Sequence, residues 1–216
     1  MPNWVMNKVS FTGGKAVLMK LRNFMKTENS EFDFEKLIPM PESLNISDGS
    51  EETIARACAM ARRRGETTCP EVEKEWAKSR SFDEWADYGE IYLKNIEKYG
   101  APTWYDWRCV HWGTKWNAHE PWWSDDNTEL QFETAWSMPE PVFAELSRRY
   151  PGVKIHIDFA DEDLGNNCGT WDLPDEDAPM YDGDLEFACN VWDYDYEEIL
   201  KEREEYDADT EQGSQW

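Results

Sequence analysis

The apolar residues change period several times along the chain, and each change marks an element. Val5, Val9 and Phe11 take alternate positions in Trp4 to Phe11, the two-residue period of a half-buried strand, before Thr12-Gly13-Gly14 turns the chain. In Lys15 to Lys26 the spacing widens to three and four through Val17, Leu18, Leu21, Phe24 and Met25, one apolar stripe of a helix. Residues 30 to 50 are polar and punctuated by proline, so they read as loop. Glu51 to Arg64 predicts a helix with acids at its front and Ile54, Ala57, Cys58 and Ala61 on one face. It closes on Arg62-Arg63-Arg64, where cations suit the helix dipole. Glu71 to Tyr99 predicts a helix pair; Ser81 and Glu84 have capping-box spacing, and Trp85, Tyr88, Tyr92, Ile96 and Tyr99 form an aromatic stripe.

After the aromatic stretch that begins at Trp104, Lys115 to Trp122 is the natural hairpin partner of a strand in which Leu130, Phe132, Thr134 and Trp136 alternate. Ser137-Met138-Pro139-Glu140 reads as a second capping box, opening a helix whose face is Val142, Phe143, Leu146 and Tyr150 and which Pro151-Gly152 stops. Val153, Ile155, Ile157 and Phe159 then alternate as another strand. The order is βα, a helical insertion at about 45–100, then ββαβ, which predicts an α+β core. Cys168 to Leu173 fits one further strand, Leu185 to Trp192 fits strand or helix, and Tyr194 to Tyr206 fits a solvated helix with a frayed end.

Composition narrows the partners. Hydrophobic residues make up 40% of the 216 and aromatics 14%, with 13 Trp, enough apolar surface to fold despite a formal net charge of -24. Residues 158 to 216 hold 21 acidic side chains against 2 basic ones, whereas 1 to 157 hold 25 against 20. Such a charge repels nucleic acid and anionic lipid, and so argues against direct binding of either. No apolar run approaches the roughly 18 residues that span a bilayer, and the start lacks a signal-peptide pattern, so the expected location is the cytoplasm. The five cysteines are widely spaced without a C-x-x-C pair and read as free, mostly buried thiols.

Several motifs carry a family resemblance. Met1-Pro2-Asn3-Trp4-Val5 with Asn7, Ile38-Pro39-Met40-Pro41-Glu42, His111-Trp112-Gly113-Thr114-Lys115-Trp116-Asn117, Thr134-Ala135-Trp136-Ser137, and Ala160-Asp161-Glu162-Asp163 before Gly165 together resemble the YubB-type ferredoxin-like domain family. The resemblance implies a ferredoxin-like antiparallel sheet with two packed helices over residues 1–173, in accessory proteins of phages, plasmids and other mobile elements. The expected location then becomes the host's cytoplasm. It implies no catalytic residues and no cofactor. Residues 174–216, which none of these motifs reaches, read as an acidic, aromatic-containing C-terminal extension.

Three constellations are candidates for function. In the extension, Asp175, Glu176, Asp177, Asp182, Asp184, Asp193, Asp195, Glu197 and Glu198 are interleaved with aromatics such as Tyr194 and Tyr196, a pattern that fits either a solvated face or a surface for a basic partner. Trp107, His111, Trp112, Lys115, Trp116 and His119 fit either a Trp-rich core or a pocket for a nucleotide or other small ligand. Asp161 and Asp163 have oxygen donors for a hard cation, which on the pocket reading would serve metal-dependent hydrolysis, but their spacing matches no calcium loop and equally fits a turn. The leading expectation is a noncatalytic protein whose acidic surface binds and inhibits a basic, nucleic-acid-binding host protein, including one serving defence, in the manner of a DNA mimic.

Overall fold

The alternation read in Trp4 to Phe11 becomes the central strand of a five-stranded antiparallel sheet. A computed structural model describes residues 3–213, except the side chains of 73, 75, 76 and 207–213; Met1 and Pro2 of the opening motif lie outside it. In chain order the elements are β1 (Trp4–Thr12), α1 (Lys15–Met25), α2 (Ser50–Arg63), α3 (Phe82–Tyr99), α4 (Trp104–His111), β2 (His119–Trp123) and β3 (Glu129–Ala135). There follow α5 (Glu140–Arg149), β4 (Lys154–Asp161), β5 (Cys168–Leu173), α6 (Leu185–Trp192) and α7 (Tyr196–Gly213). The chain divides into two compact units, Met1–Leu37 with Trp116–Trp216, and Ile38–Lys115.

In the sheet unit the strand order is β2-β3-β1-β4-β5. Its first four strands with α1 and α5 make the βαββαβ ferredoxin-like arrangement, and β5 adds outside β4. Register explains the pattern of buried residues. Val9 lies between Leu130 and Ile157, and Asn7 between Phe132 and Phe159, so these side chains share one face. That face is buried, as are Leu18, Leu21 and Met25 of α1 and Val142, Phe143 and Leu146 of α5. Phe143 sits 6.1 Å from Phe132. Asn7 and Thr134 are buried polar residues in this core, and the Asn7 amide donates to the Thr134 hydroxyl and the Val5 carbonyl, both at 2.9 Å.

Several expectations need correcting. Val17 is 39% exposed, so the α1 stripe is narrower than the sequence suggests. Trp136 leaves the β3 alternation at φ 72 and is exposed. The Thr134 hydroxyl donates to the Ser137 carbonyl at 2.8 Å in this turn, and α5 starts only at Glu140, its N-cap Pro139 offering no side-chain cap. Tyr196 to Gly213 is helical, running past Tyr206, where fraying is expected; residues 214–216 lie outside the described ones.

The helical unit takes in more than the 45–100 read as an insertion and includes the aromatic stretch as far as Lys115. Helices α2 and α3 pack on Ile54, Ala55, Cys58, Ala61, Trp85, Ala86 and Tyr92. They approach so closely that a Cβ on Gly89 would lie 1.9 Å from the Ala55 carbonyl oxygen. The Ser81–Glu84 capping box forms in full. The stretch from Glu71, expected as the first helix of a pair, is two 3-10 turns, Pro70–Glu73 and Glu75–Ser79. The Trp85 indole donates to the Ala77 carbonyl there at 2.8 Å. The three arginines that close α2 find partners within this unit: Arg62 pairs with Asp87 and Arg63 with Glu90, both at 2.6 Å, and Arg64 with Glu66 at 2.7 Å.

Candidate interaction surface

Beyond β5 the acidic segment is anchored step by step. Backbone bonds between Thr170 and Met180, 3.0 and 2.8 Å long, lay residues 176–183 against β5 as a strap. Gly169 permits this, because a Cβ there would meet the Met180 carbonyl oxygen at 1.8 Å. Tyr181 meets Phe159 edge-on at 5.0 Å. The Asp184 carboxylate then accepts from the Phe187 amide at 2.9 Å and starts α6.

Helix α6 resolves the strand-or-helix ambiguity through a shelf of small residues. Ala188, Cys189 and Val191 are buried with Ala160, Leu164 and Cys168, and Met6 packs against the cluster. Burying a side chain such as Val191 or Leu164 contributes about 1.5–3 kcal/mol. The Trp192 indole donates to the Ala160 carbonyl at 3.0 Å. Lys8, from the outward face of β1, donates to the Asn190 carbonyl at 3.2 Å and pairs with Asp193 at 2.7 Å, placing a cation at the helix C-terminus. The sequence reading missed Lys8 and Trp192; the outward position of Lys8 in the strand period was the available signal.

Helix α7 begins where Asp195 accepts from the Glu197 and Glu198 amides at 3.0 and 3.2 Å. Tyr196 and Ile199 pack on the α6 cluster, and Arg203 donates to the Leu164 carbonyl at 2.7 Å. These contacts leave Glu197, Glu198, Glu202, Glu204 and Glu205 exposed.

The acidic candidates therefore separate by role. Asp184 and Asp195 cap helices, Asp175 pairs with Lys154 at 2.9 Å, Asp193 with Lys8, and the Glu176 carboxylate accepts from the Asp172 amide at 3.1 Å. Asp175 in turn holds the Lys154 ammonium above its usual pKa by hydrogen bonding and charge. Asp177, Asp182, Glu197 and Glu198 face solvent. Tyr194 is exposed and stacks on Trp192 at 6.0 Å, while Tyr196 is half-buried.

The Trp-rich candidates fall into both units. In the helical unit His111 stacks on the buried Trp107 at 4.3 Å, and the indole of the buried Trp112 donates to the Ile38 carbonyl at 3.0 Å. Arg108, which the sequence reading passed over, places its guanidinium 4.5 Å from the Trp112 ring. Lys115 is the last residue of this unit. In the sheet unit Trp116 and His119 gather on Trp4, at 5.7 and 4.7 Å, and His119 faces Glu133 at 3.4 Å.

Asp161 serves as the knot of a turn. Its buried carboxylate accepts from the Asn3 amide at 3.1 Å, the Asp163 backbone at 2.9 Å and the Asn167 amide at 3.2 Å. Asp163 accepts from the Asn166 amide at 3.0 Å. Among the described residues no group of three or more His, Cys, Asp or Glu is arranged to hold a metal ion, and no helix is long and apolar enough to cross a membrane.

No curated protein and no solved structure matches this chain. A family match does exist, and it runs from the end of α4 through α6 and most of α7. The acidic segment, which the sequence motifs left outside the resemblance, thus falls largely inside the matched domain: residues 111–209 match the family described as the ferredoxin-like domain in Api92-like protein.

Proposed function

We propose that this chain is a noncatalytic interaction protein whose α7 surface engages a basic, nucleic-acid-binding protein and competes for its nucleic-acid site. The observation that carries this reading is a row of exposed carboxylates, Glu197, Glu198, Glu202, Glu204 and Glu205, on a helix anchored through Ile199 and Arg203. At about 1.5 Å per residue the row covers about 12 Å of helix axis. Once Lys201 and Arg203 are subtracted, it carries one net negative charge per about 4 Å, close to the ~3.4 Å of a single nucleic-acid strand. The exposed rings of Tyr194 and Tyr206 flank it as contact anchors. The resemblance to mobile-element proteins supports a host protein, including one of a defence system, as the target.

Anchoring dictates the test. Deleting residues 175–216 would strip α6 from Ala160 and Cys168 and expose core, so charge is neutralised in place. Wild-type protein and a variant with all five glutamates changed to Gln are used to capture proteins from nuclease-treated host lysate at low and high salt. The wild type is expected to retain a basic nucleic-acid-binding protein at low salt and release it at high salt, and the variant to retain none while melting like the wild type. Capture of no basic partner by the wild type at either salt overturns the proposal.

A further inference from the structure

The helical unit contains a pair of thiols that the acidic surface does not use. Cys58 on α2 and Cys69 on the segment returning from it are both buried, with their Sγ atoms 2.7 Å apart. That is closer than the roughly 3.5–4.0 Å of ordinary nonbonded carbon contact. It remains longer than the ~2.05 Å of a bonded pair. Ile54, Ala61 and Trp85 surround Cys58 in the helix core. Cys69 follows a short return in which Gly65 turns the chain at φ 82 and Gly65, Glu66, Thr67 and Thr68 are all exposed. Four exposed residues therefore lead directly into the buried Cys69.

We propose that Cys58 and Cys69 are a modification site, joined as a disulfide by a peroxide and tying α2 to its return segment. With hydrogen peroxide, one sulfur, once deprotonated, attacks a peroxide oxygen. The O–O bond breaks, leaving a sulfenic acid and a hydroxide that takes up the proton. The second sulfur attacks the sulfenic sulfur; the S–O bond breaks, the S–S bond forms, and the departing hydroxide leaves as water with the second thiol's proton. Two thiols and one peroxide give one disulfide and two waters, both sulfurs being oxidised and the peroxide oxygens reduced.

Burial and the Cys69 contact push the Cys58 thiol up to about 12, so it stays protonated near neutral pH and oxidation waits on opening of the return. The other cysteines supply internal references. Cys168 donates to the Gly183 carbonyl at 3.1 Å, Cys189 is buried in the α6 cluster, and Cys109 is half-buried.

The test treats the folded full chain with hydrogen peroxide, denatures it in an alkylating reagent and maps its peptides. Reactive thiols are expected to fall from five to three. The peptides bearing Cys58 and Cys69 should appear linked, about 2 Da lighter than the sum of the reduced pair and separable by a reductant. Cys58→Ala and Cys69→Ser should each retain four reactive thiols under the same treatment, and the wild-type map decides the matter alone if either variant fails to fold. Linkage between any other two cysteines overturns the proposal. So does separate alkylation of Cys58 and Cys69 after the same treatment.

Discussion

Gly169→Ala tests whether the acidic segment is built into the fold. The added Cβ would lie 1.8 Å from the Met180 carbonyl oxygen, 2.8 Å from its carbon and 3.0 Å from the Tyr181 Cα. Ordinary contact begins at 3.4 Å, so the strap must retreat by about 1.6 Å. The two bonds between Thr170 and Met180 would then exceed 4 Å and cease to be hydrogen bonds. Each is worth about 1 kcal/mol net. The Tyr181–Phe159 edge contact adds about 0.5–1.5 kcal/mol. The loss is about 3 kcal/mol, of which alanine's smaller unfolded-state entropy returns somewhat under 1 kcal/mol. A net destabilisation of about 2 kcal/mol should lower Tm by roughly 4–8 °C. In hydrogen exchange the Met180 and Thr170 amides should lose protection before the β1 amides. Gly152→Ala is the control, since a Cβ there meets nothing within 4 Å. Unchanged Met180 protection together with a Tm within a degree of wild type would refute the strap geometry.

Two further outcomes are expected. Gly89→Ala forces α3 off the Ala55 carbonyl and should destabilise the helical unit by about 2 kcal/mol in urea titration, overpacking outweighing alanine's helix propensity; unchanged stability would contradict the close crossing. His156 is held above its usual pKa: burial pushes it down, but the Asp172 hydrogen bond and the Asp158 charge prevail. Its stabilising contribution should be complete below the unfolded value near 6.5 and disappear as pH rises through the higher folded pKa. An NMR titration of the ring should show the raised midpoint, and His156→Gln should flatten stability across that window.

Local chemistry was legible in the sequence where it acts over a few residues. Ser81 and Glu84 cap α3 as read, because both partners lie within one turn. The same spacing misled at Ser137, where the positive φ at Trp136 and the Thr134 hydroxyl bond belong to the preceding strand's exit. Residues 71–79 fold instead as short 3-10 turns, broken at Lys74, whose backbone is extended, with Ala77 buried and Val72 half-buried. Helix α6 was ambiguous because its shelf, Ala160 and Cys168, lies more than fifteen residues away in the chain. The acids were visible as charge, yet their division into caps, ion pairs and exposed carboxylates depends on Lys8, Lys154 and backbone amides that only the fold brings near.

The strap has a consequence for self-association. An outer strand with free amides and carbonyls is a template on which another chain can extend the sheet. At the β5 edge Met180 already occupies the bonds of Thr170. The β2 edge is broken by a register shift between His119 and Trp122, with Glu120 at φ 47 and Pro121 lacking an amide hydrogen. Neither end of the sheet therefore offers an incoming strand a long uninterrupted ladder. High concentration should favour separate molecules over edge-to-edge ribbons, and the proposed partner would be recruited by side chains rather than by strand addition.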